Sequence, residues 1–420
     1  MSVVRLLYTL LWYLATPLLL LRLLWRARRQ PEYLDHVAER FGFYRGAVDA
    51  GPWIWVHAVS VGETRAAAPL IRALRARHPR HRILLTHMTP TGRDTGAVLF
   101  GDAVRQCYLP YDQPGAVVRF LDRYRPATGV LLETEIWPNL IHAAAAKQIP
   151  LHLVNARLSA RSQAGYRRSG RLARDALRAL TGIAAQTDED ATRLRALGAP
   201  AVTVTGNLKF DIEVPADQVA AGRELRAGLG ARPVLLAAST RDGEEALLLD
   251  AVQREGLGDA LLVIVPRHPQ RFDGVAALVA ARGLRMQRRS KDAVIAADTA
   301  VLLGDTLGEM YLYYAACDVA LLGGSFLPYG AQNLIEPCAL GKPVLIGPST
   351  YNFAEAAEAA VAAGAALRVA DFDEALPLAL QLARDAGRRR AMAQAGLAFT
   401  ESCRGATQRV MAQLRIPGQS

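Results

Sequence analysis

The sequence predicts an α/β protein of two domains, each a parallel sheet covered by helices on both faces, behind an apolar N-terminal helix. Three observations carry this prediction. The chain has 420 residues, two to three times the ~100–200 of a common domain. Short apolar runs alternate with amphipathic stretches of helical period, the signature of βαβ units. A polar stretch bearing a proline, KFDIEVPADQ (Lys209–Gln218), interrupts that alternation half-way. The expected division is 1–30 as an anchor, 31–212 as the first α/β domain and 213–420 as the second, with the last helices free to pack back on the first. A composition of 51% hydrophobic and 21% charged residues, with 34 Gly and 22 Pro, excludes a disordered chain, a collagen-like repeat and a coiled coil. The 4 cysteines (Cys107, Cys317, Cys338, Cys403) include no CxxC pair, so neither a disulfide scaffold nor a structural zinc site is expected.

The N-terminal segment comes first. Lys+Arg exceed Asp+Glu by 11, with pI ≈ 9.8. Five of those charges, Arg5, Arg22, Arg26, Arg28 and Arg29, precede Glu32, the first acidic residue. Between Arg5 and Arg22 lies the uncharged LLYTLLWYLATPLLLL (Leu6–Leu21). As a helix it reaches roughly 24 Å, short of the ~30 Å hydrocarbon core, although adding Leu23–Trp25 brings it close. A cleaved signal peptide fits poorly, because Pro17 interrupts the run and no A-x-A site follows. A buried core helix is possible on pattern alone. The reading adopted is a membrane anchor, with Trp12, Tyr13 and Trp25 at interface depth and the arginines on anionic headgroups, placing the remaining chain in the cytoplasm. Spanning and lying in one leaflet both fit.

Strands are expected at Trp53–Val59, Ile83–Thr86, Gln106–Leu109, Val130–Leu132, Leu151–Val154, Ile183–Gln186 and Val202–Thr205. Helical patterns such as Ala67–Arg77, with Leu70, Ile71 and Leu74 on one face, lie between them. The second series is Val234–Ala238, Leu261–Val265, Leu284–Met286, Ala300–Leu303, Val319–Leu322 and Pro343–Ile346, before a helical Glu374–Gln413. Two such domains joined by a linker imply a cleft between sheets. Ligands of open α/β sheets bind beyond the carboxyl ends of strands, so the loops there are the place to look for chemistry.

In HAVSVGE (His57–Glu63), Glu63 opens a helix, either as a favourable charge at its first turn or as a general base. In LLETEIWPN (Leu131–Asn139), Glu133 and Glu135 share a face if the strand continues, or one of them caps the next helix. Lys209, in VTGNLKFD, can hold an anion or simply be solvated. THMTPTG (Thr86–Gly92) and NARLSARS (Asn155–Ser162) offer hydroxyls and amides. In the second half, Arg267 and His268 leave a strand in PRHPQRF, and GDTLGEM (Gly304–Met310) is a glycine-punctuated loop. LLGGSFLPYGAQNLIEP (Leu321–Pro337) runs from a strand end into a helix whose amides attract phosphate, with Glu336 placed for ribose hydroxyls. Together these loops favour a nucleotide site in the second domain.

Absent motifs narrow the chemistry. There is no GxxxxGK[ST], no GxGxxG after the first strand, no HExxH and no GxSxG. The triplet Asp188-Glu189-Asp190 reads as a solvated helix start rather than a metal site. No catalytic metal and no cofactor is expected. No RNP, KH or helix-turn-helix pattern accompanies the basic pI, so nucleic acid is not an expected partner.

Taken together and in order, HAVSVGE, MTPTG, YLPYD, ETEIWPN, VNARLS, VTGNLKFD, AST followed by DGEE, PRHP, GDTLGE and NLIEP followed by GPSTYNF resemble one family. It is the bacterial 3-deoxy-D-manno-octulosonic acid (Kdo) transferases of lipopolysaccharide assembly, and the likeness covers most of the chain. The resemblance implies the GT-B glycosyltransferase architecture, two Rossmann-like domains facing a central cleft, acceptor domain first and nucleotide domain second. It implies inverting transfer of Kdo from CMP-Kdo to the lipid A precursor (lipid IVA), releasing CMP, on the cytoplasmic leaflet of the inner membrane. By that resemblance Glu63 is the base, and Glu133 and Lys209 support the transition state. Arg267, His268, Leu307, Gly308, Glu309, Asn333, Leu334, Ile335 and Glu336 match the CMP-Kdo-binding loops. One departure stands out: many relatives read GGHN where this chain has Gly330-Ala331-Gln332-Asn333, so a cationic contact at 332 is lost. The alternative is another membrane-associated GT-B enzyme using a UDP-sugar and a lipid-linked acceptor.

Overall fold

The computed structural model describes residues 3–48, 51–168, 170–292 and 294–417. They form two compact units, one of residues 1–211 and 404–420, the other of 212–403.

In the first unit the strands are β1 (Trp53–His57), β2 (Arg82–His87), β3 (Arg105–Tyr108), β4 (Pro126–Leu132), β5 (Leu151–Ala156), β6 (Gly182–Ala185) and β7 (Val202–Val204). All pair in parallel, in the order β3-β2-β1-β4-β5-β6-β7. Period-two alternation sends Trp53 and Trp55 into one core layer with Phe120, Leu140 and Leu153. Ile54 and Val56 point to the other face, against Leu70, Ile71 and Leu74. The second unit holds β8 (Val234–Thr240), β9 (Leu261–Pro266), β10 (Met286–Arg288), β11 (Val301–Leu303), β12 (Val319–Leu322), β13 (Val344–Ile346) and β14 (Ala366–Arg368). Its order is β10-β11-β9-β8-β12-β13-β14, again all parallel. The strand order reverses at β1/β4 in the first sheet and at β8/β12 in the second, where β10 lies outside β11 at the far edge. Loops leaving the carboxyl ends of those pairs diverge to opposite sides and open a crevice.

Several boundaries differ from expectation for identifiable reasons. β1 stops at His57 rather than Val59, because Ser60 is already the N-cap of the helix Val61–Arg77. The expected strand at Leu284–Met286 is displaced to the polar edge Met286–Arg288. β14 was not anticipated: Ala366-Leu367-Arg368 lies in an alanine-rich stretch, yet Gly364 (φ +76°) ends the preceding helix and the chain adds to β13. The acidic triplet does begin a helix (Asp188–Ala196), but Asp190 is not solvated. It is 1% exposed and accepts from Leu158 N–H at 2.7 Å and the Thr187 hydroxyl at 2.8 Å.

The N-terminal helix runs unbroken from Val3 to Ala27 with Pro17 inside. At the other end, the helix Ala406–Gln413 belongs to the first unit, where Ala406, Val410 and Ile416 join the core layer of Ile54 and Val56.

Candidate active site

At the β1/β4 crevice the loop after β1 forms a capping box. The Ser60 Oγ accepts from Glu63 N–H at 3.5 Å, and the Glu63 carboxylate reaches back to take Val59 N–H (2.9 Å) on Oε2 and the Ser60 hydroxyl (3.1 Å) on Oε1. The Thr89 hydroxyl donates to Val59 O at 3.0 Å and caps the helix Pro90–Phe100 by accepting from Gly92 N–H. A Cβ at Gly92 would come within 3.1 Å of Val59 O, which accounts for a glycine in MTPTG. Burial pushes Glu63 up to about 7; Val59 N–H opposes the shift, Glu133 and Glu135 add to it, and His57 pulls against it. A carboxylate so tuned is half-ionised near neutrality and well matched to proton abstraction.

β4 ends at Leu132, and Glu133 takes a left-handed conformation (φ +59°) with its N–H bonded to Val154 O. The expectation that Glu133 and Glu135 share a strand face therefore fails. A turn, not a strand, brings both to the crevice. The Glu133 Oε1 lies 3.5 Å from Lys209 Nζ. Lys209 is positioned by three amides: Asn207 Oδ1 accepts Lys209 N–H, Asn207 Nδ2 donates to Gln186 Oε1, and Gln186 Nε2 donates to Asn155 O. The Asn155 Oδ1 in turn takes Leu208 N–H, so the end of β5 and the turns after β6 and β7 form one frame. Glu135 Oε2 accepts from Trp137 Nε1 at 2.6 Å and lies 3.8 Å from the Nε2 of fully buried His57. Neither glutamate caps the next helix, Pro138–Ala146. Buried Asp112 does so instead, accepting the N–H groups of Asn139 (2.9 Å) and Leu140 (2.8 Å).

The β8/β12 crevice is organised by two buried carboxylates of the DGEE segment. Glu244 accepts three backbone N–H groups, from Arg241 (2.8 Å), Gly324 (2.7 Å) and Phe326 (3.0 Å), and so ties the turn after β8 to the glycines after β12. Glu245 makes a two-pronged pair with Arg271, both at 2.7 Å, and accepts the Thr240 hydroxyl at 2.6 Å. Gly323 cannot be replaced freely, since a Cβ there would lie 2.4 Å from Ser239 O. Burial first, then Arg241, Arg267 and Arg271, push His268 below its usual range. Its Nε2 thus accepts from Arg241 Nη1 at 2.9 Å, and the cations at this rim are the arginines. The Asn333 Nδ2 donates to Glu336 Oε1 at 3.0 Å while its Oδ1 takes Ile335 N–H.

With this geometry in place, similarity to known proteins becomes informative. A 3-deoxy-D-manno-octulosonic acid transferase of Bordetella pertussis is 49% identical to this chain over 421 residues, covering 96% of this chain and 97% of that protein. The chain belongs to the Kdo transferase family. The transferase of the same name from Haemophilus influenzae is 36% identical across 98% of both chains. Residues 35–212 match the family model described as 3-deoxy-D-manno-octulosonic-acid transferase (kdotransferase). In fold, the UDP-GlcNAc 2-epimerase of Neisseria meningitidis superposes over 86% of this chain and 99% of its own, with TM-score 0.57 and 16% identity. The GT-B architecture implied by the motifs is thereby borne out, and the chain is a glycosyltransferase.

In this Kdo transferase, Glu63, Glu133 and Lys209 stand together at the β1/β4 crevice. Arg267 and His268 follow β9, while Asn333 and Glu336 are bonded to each other beyond β12. Leu334 and Ile335 are fully buried, so neither presents its side chain to a ligand. Leu307 is 72% exposed, Gly308 is left-handed (φ +82°), and Glu309 lies 3.4 Å from Arg289 Nε. His57, Gln186 and Asn207 in the first unit, and Arg241, Glu244, Glu245 and Arg271 in the second, were not anticipated as site residues, whereas Glu135 and Asn155 stood in loops already singled out. The S-x-x-E spacing and the paired glutamates of DGEE were the available signals.

Proposed function

We propose that this Kdo transferase moves Kdo from CMP-Kdo to a glucosamine hydroxyl of the lipid A precursor lipid IVA, inverting the anomeric centre and releasing CMP at the cytoplasmic face of the inner membrane. The observation that supports this reading most is Glu63, a carboxylate fixed by its own helix cap, raised to about 7 and set at the switch point of the first sheet. Glu63 takes the acceptor proton as the hydroxyl oxygen bonds to the anomeric carbon, and the bond from that carbon to the CMP phosphate breaks with its electron pair on phosphate. Glu133, held 3.5 Å from Lys209, lies beside the centre where positive character develops. On the second unit Arg267 and the amides of the β12 loop meet the phosphate charge, and on the first Lys209 supplies a further cation. A monophosphate leaving group is within the reach of these cations without Mg²⁺. Asn333 and Glu336 bind the nucleoside, and transfer requires the second unit to present its donor to the first.

The test mixes purified protein, CMP-Kdo and tetraacylated lipid A precursor and follows CMP release and glycolipid mass. Kdo-bearing product and thermal stabilisation by CMP over UDP are expected; preferential stabilisation by UDP, with no Kdo product, overturns the assignment.

A further inference from the structure

The N-terminal helix is not a free apolar rod. Arg5, Tyr8, Thr9, Trp12 and Thr16 occupy an arc of roughly 100° at 3.6 residues per turn, and each is bonded or packed to the body of the first unit. Tyr8 donates to Asp112 Oδ2 at 2.9 Å, and Arg5 Nε donates to Asn139 Oδ1 at 3.0 Å. Asn139 Nδ2 donates to Thr9 Oγ1 at 3.1 Å, and Gln113 Nε2 donates to Thr16 Oγ1 at 2.6 Å. The Trp12 ring lies 5.9 Å from that of Tyr111 and 6.0 Å from that of Trp137. Eighteen residues beyond Arg5, Leu23 is still buried, about 27 Å further along the axis. On the opposite side Leu7, Leu11, Leu14, Leu18 and Leu21 share an arc of roughly 80° and are bare, Leu14 and Leu18 being 66% and 68% exposed.

From this two-sidedness we infer that the helix lies in the plane of the bilayer surface, its leucine face in one leaflet and its polar face on the protein, and does not span. The inference rests on the membrane partner of the proposed function and fixes how that partner is met. A spanning helix needs the ~30 Å of hydrocarbon clear along its length. Here bonds and ring contacts to the body run from Arg5 to Thr16, about 16 Å of the helix, so crossing would carry Asp112, Gln113 and Asn139 into the hydrocarbon or strip the helix from them. The charge pattern agrees: no acidic residue precedes Glu32, and Arg22, Arg26, Arg28 and Arg29 gather at one end, fitted to anionic headgroups. The placement also bears on the active site. Trp137 touches Trp12 on one side and donates to Glu135 on the other, so the acidic loop is braced directly on the lipid-facing helix.

The test places a nitroxide at Leu7→Cys, Leu14→Cys or Leu21→Cys in full-length protein carrying Cys403→Ser; Cys107, Cys317 and Cys338 are buried. Each protein is bound to vesicles of phosphatidylethanolamine and phosphatidylglycerol, and depth is read from collisions with oxygen and a nickel chelate. One shared, shallow depth is expected at all three positions. Leu14 deeper than both others by about 10 Å, the rise over seven residues, means a spanning helix and overturns the proposal. A steady gradient from Leu7 to Leu21 means insertion by one end and also overturns it. Three labels in water remove the membrane as partner. Transfer to detergent-dispersed acceptor, assayed on the same samples, reports the catalytic reading separately: equal depths without transfer leave the placement standing.

Discussion

Replacing Glu63 with Gln separates what this residue does for the reaction from what it does for the fold. The amide keeps an acceptor for Val59 N–H and a group for Ser60, so the capping box survives; Glu63→Ala loses it, at about 1 kcal/mol. The base is gone in both, and a general base contributes about 10²–10⁴ in rate, so kcat at pH 8 falls by that factor in Glu63→Gln. Stability moves the other way. Folding raises Glu63 from 4.5 to about 7, so between those values the native state holds a proton that the unfolded chain has released. Wild-type stability therefore falls as pH rises from 4.5 to 7, and the full cost stands above 7. At about 1.4 kcal/mol per pH unit the cost is about 3 kcal/mol, reduced to roughly 1–2 kcal/mol by solvent at this partly exposed position. Glu63→Gln is spared it, so its Tm at pH 8 rises by about 3–6 °C, and the gain fades toward pH 4.5. CMP release and calorimetry across pH 5–8.5 check both halves. Wild-type kcat/KM rises through about pH 7. Undiminished turnover in Glu63→Gln, or a flat wild-type profile, refutes the assignment of the base.

Other outcomes follow from the same geometry. Lys209→Met leaves Glu133 without its cation beside Glu63 and Glu135. We expect kcat/KM to fall about 10–100-fold, with the rising limb of the pH profile displaced upward because positive charge has been removed. Glu244→Ala orphans three buried N–H groups, which at about 1–3 kcal/mol each lowers Tm and raises KM for CMP-Kdo; Glu244→Gln, retaining one acceptor, is milder in denaturation curves. Gly323→Ala drives a Cβ onto Ser239 O and parts the β8/β12 turns, visible as weaker CMP binding by titration calorimetry with the first unit's activity groups intact. EDTA leaves transfer unchanged, and loss of activity restored by Mg²⁺ would show that the arginines and Lys209 do not suffice.

The architecture was legible because buried parallel strands announce themselves: WIWVH and LLVIV are apolar on both faces, and each is followed by a helical pattern. β14 was not, since three residues in an alanine-rich stretch carry no period, and Gly364 alone marks the turn. Glu63 and Lys209 could be found from their loops, but the frame around Lys209 could not. Asn155, Gln186 and Asn207 are 31 and 21 residues apart, and which loops meet is decided by strand order, not by spacing. The N-terminal helix reads as a membrane anchor with Trp12, Tyr13 and Trp25 at interface depth, and its protein-facing side is not legible in the sequence. Tyr8 and Thr16 look incidental until Asp112 and Gln113, about a hundred residues away, appear as their partners.

The chain leaves the first unit at Asp211 and re-enters it at Arg404, and the Asp211 carboxylate accepts the N–H groups of Gly405 and Thr407. During synthesis the first sheet emerges early but its core layer stays unfinished, because Ala406, Val410 and Ile416 are made only after the whole of the second unit. The intervening unit, one uninterrupted segment, is ready sooner. A nascent polypeptide halted near residue 400 would thus fail in the half it had already emitted, with a greasy socket exposed where the closing helix belongs.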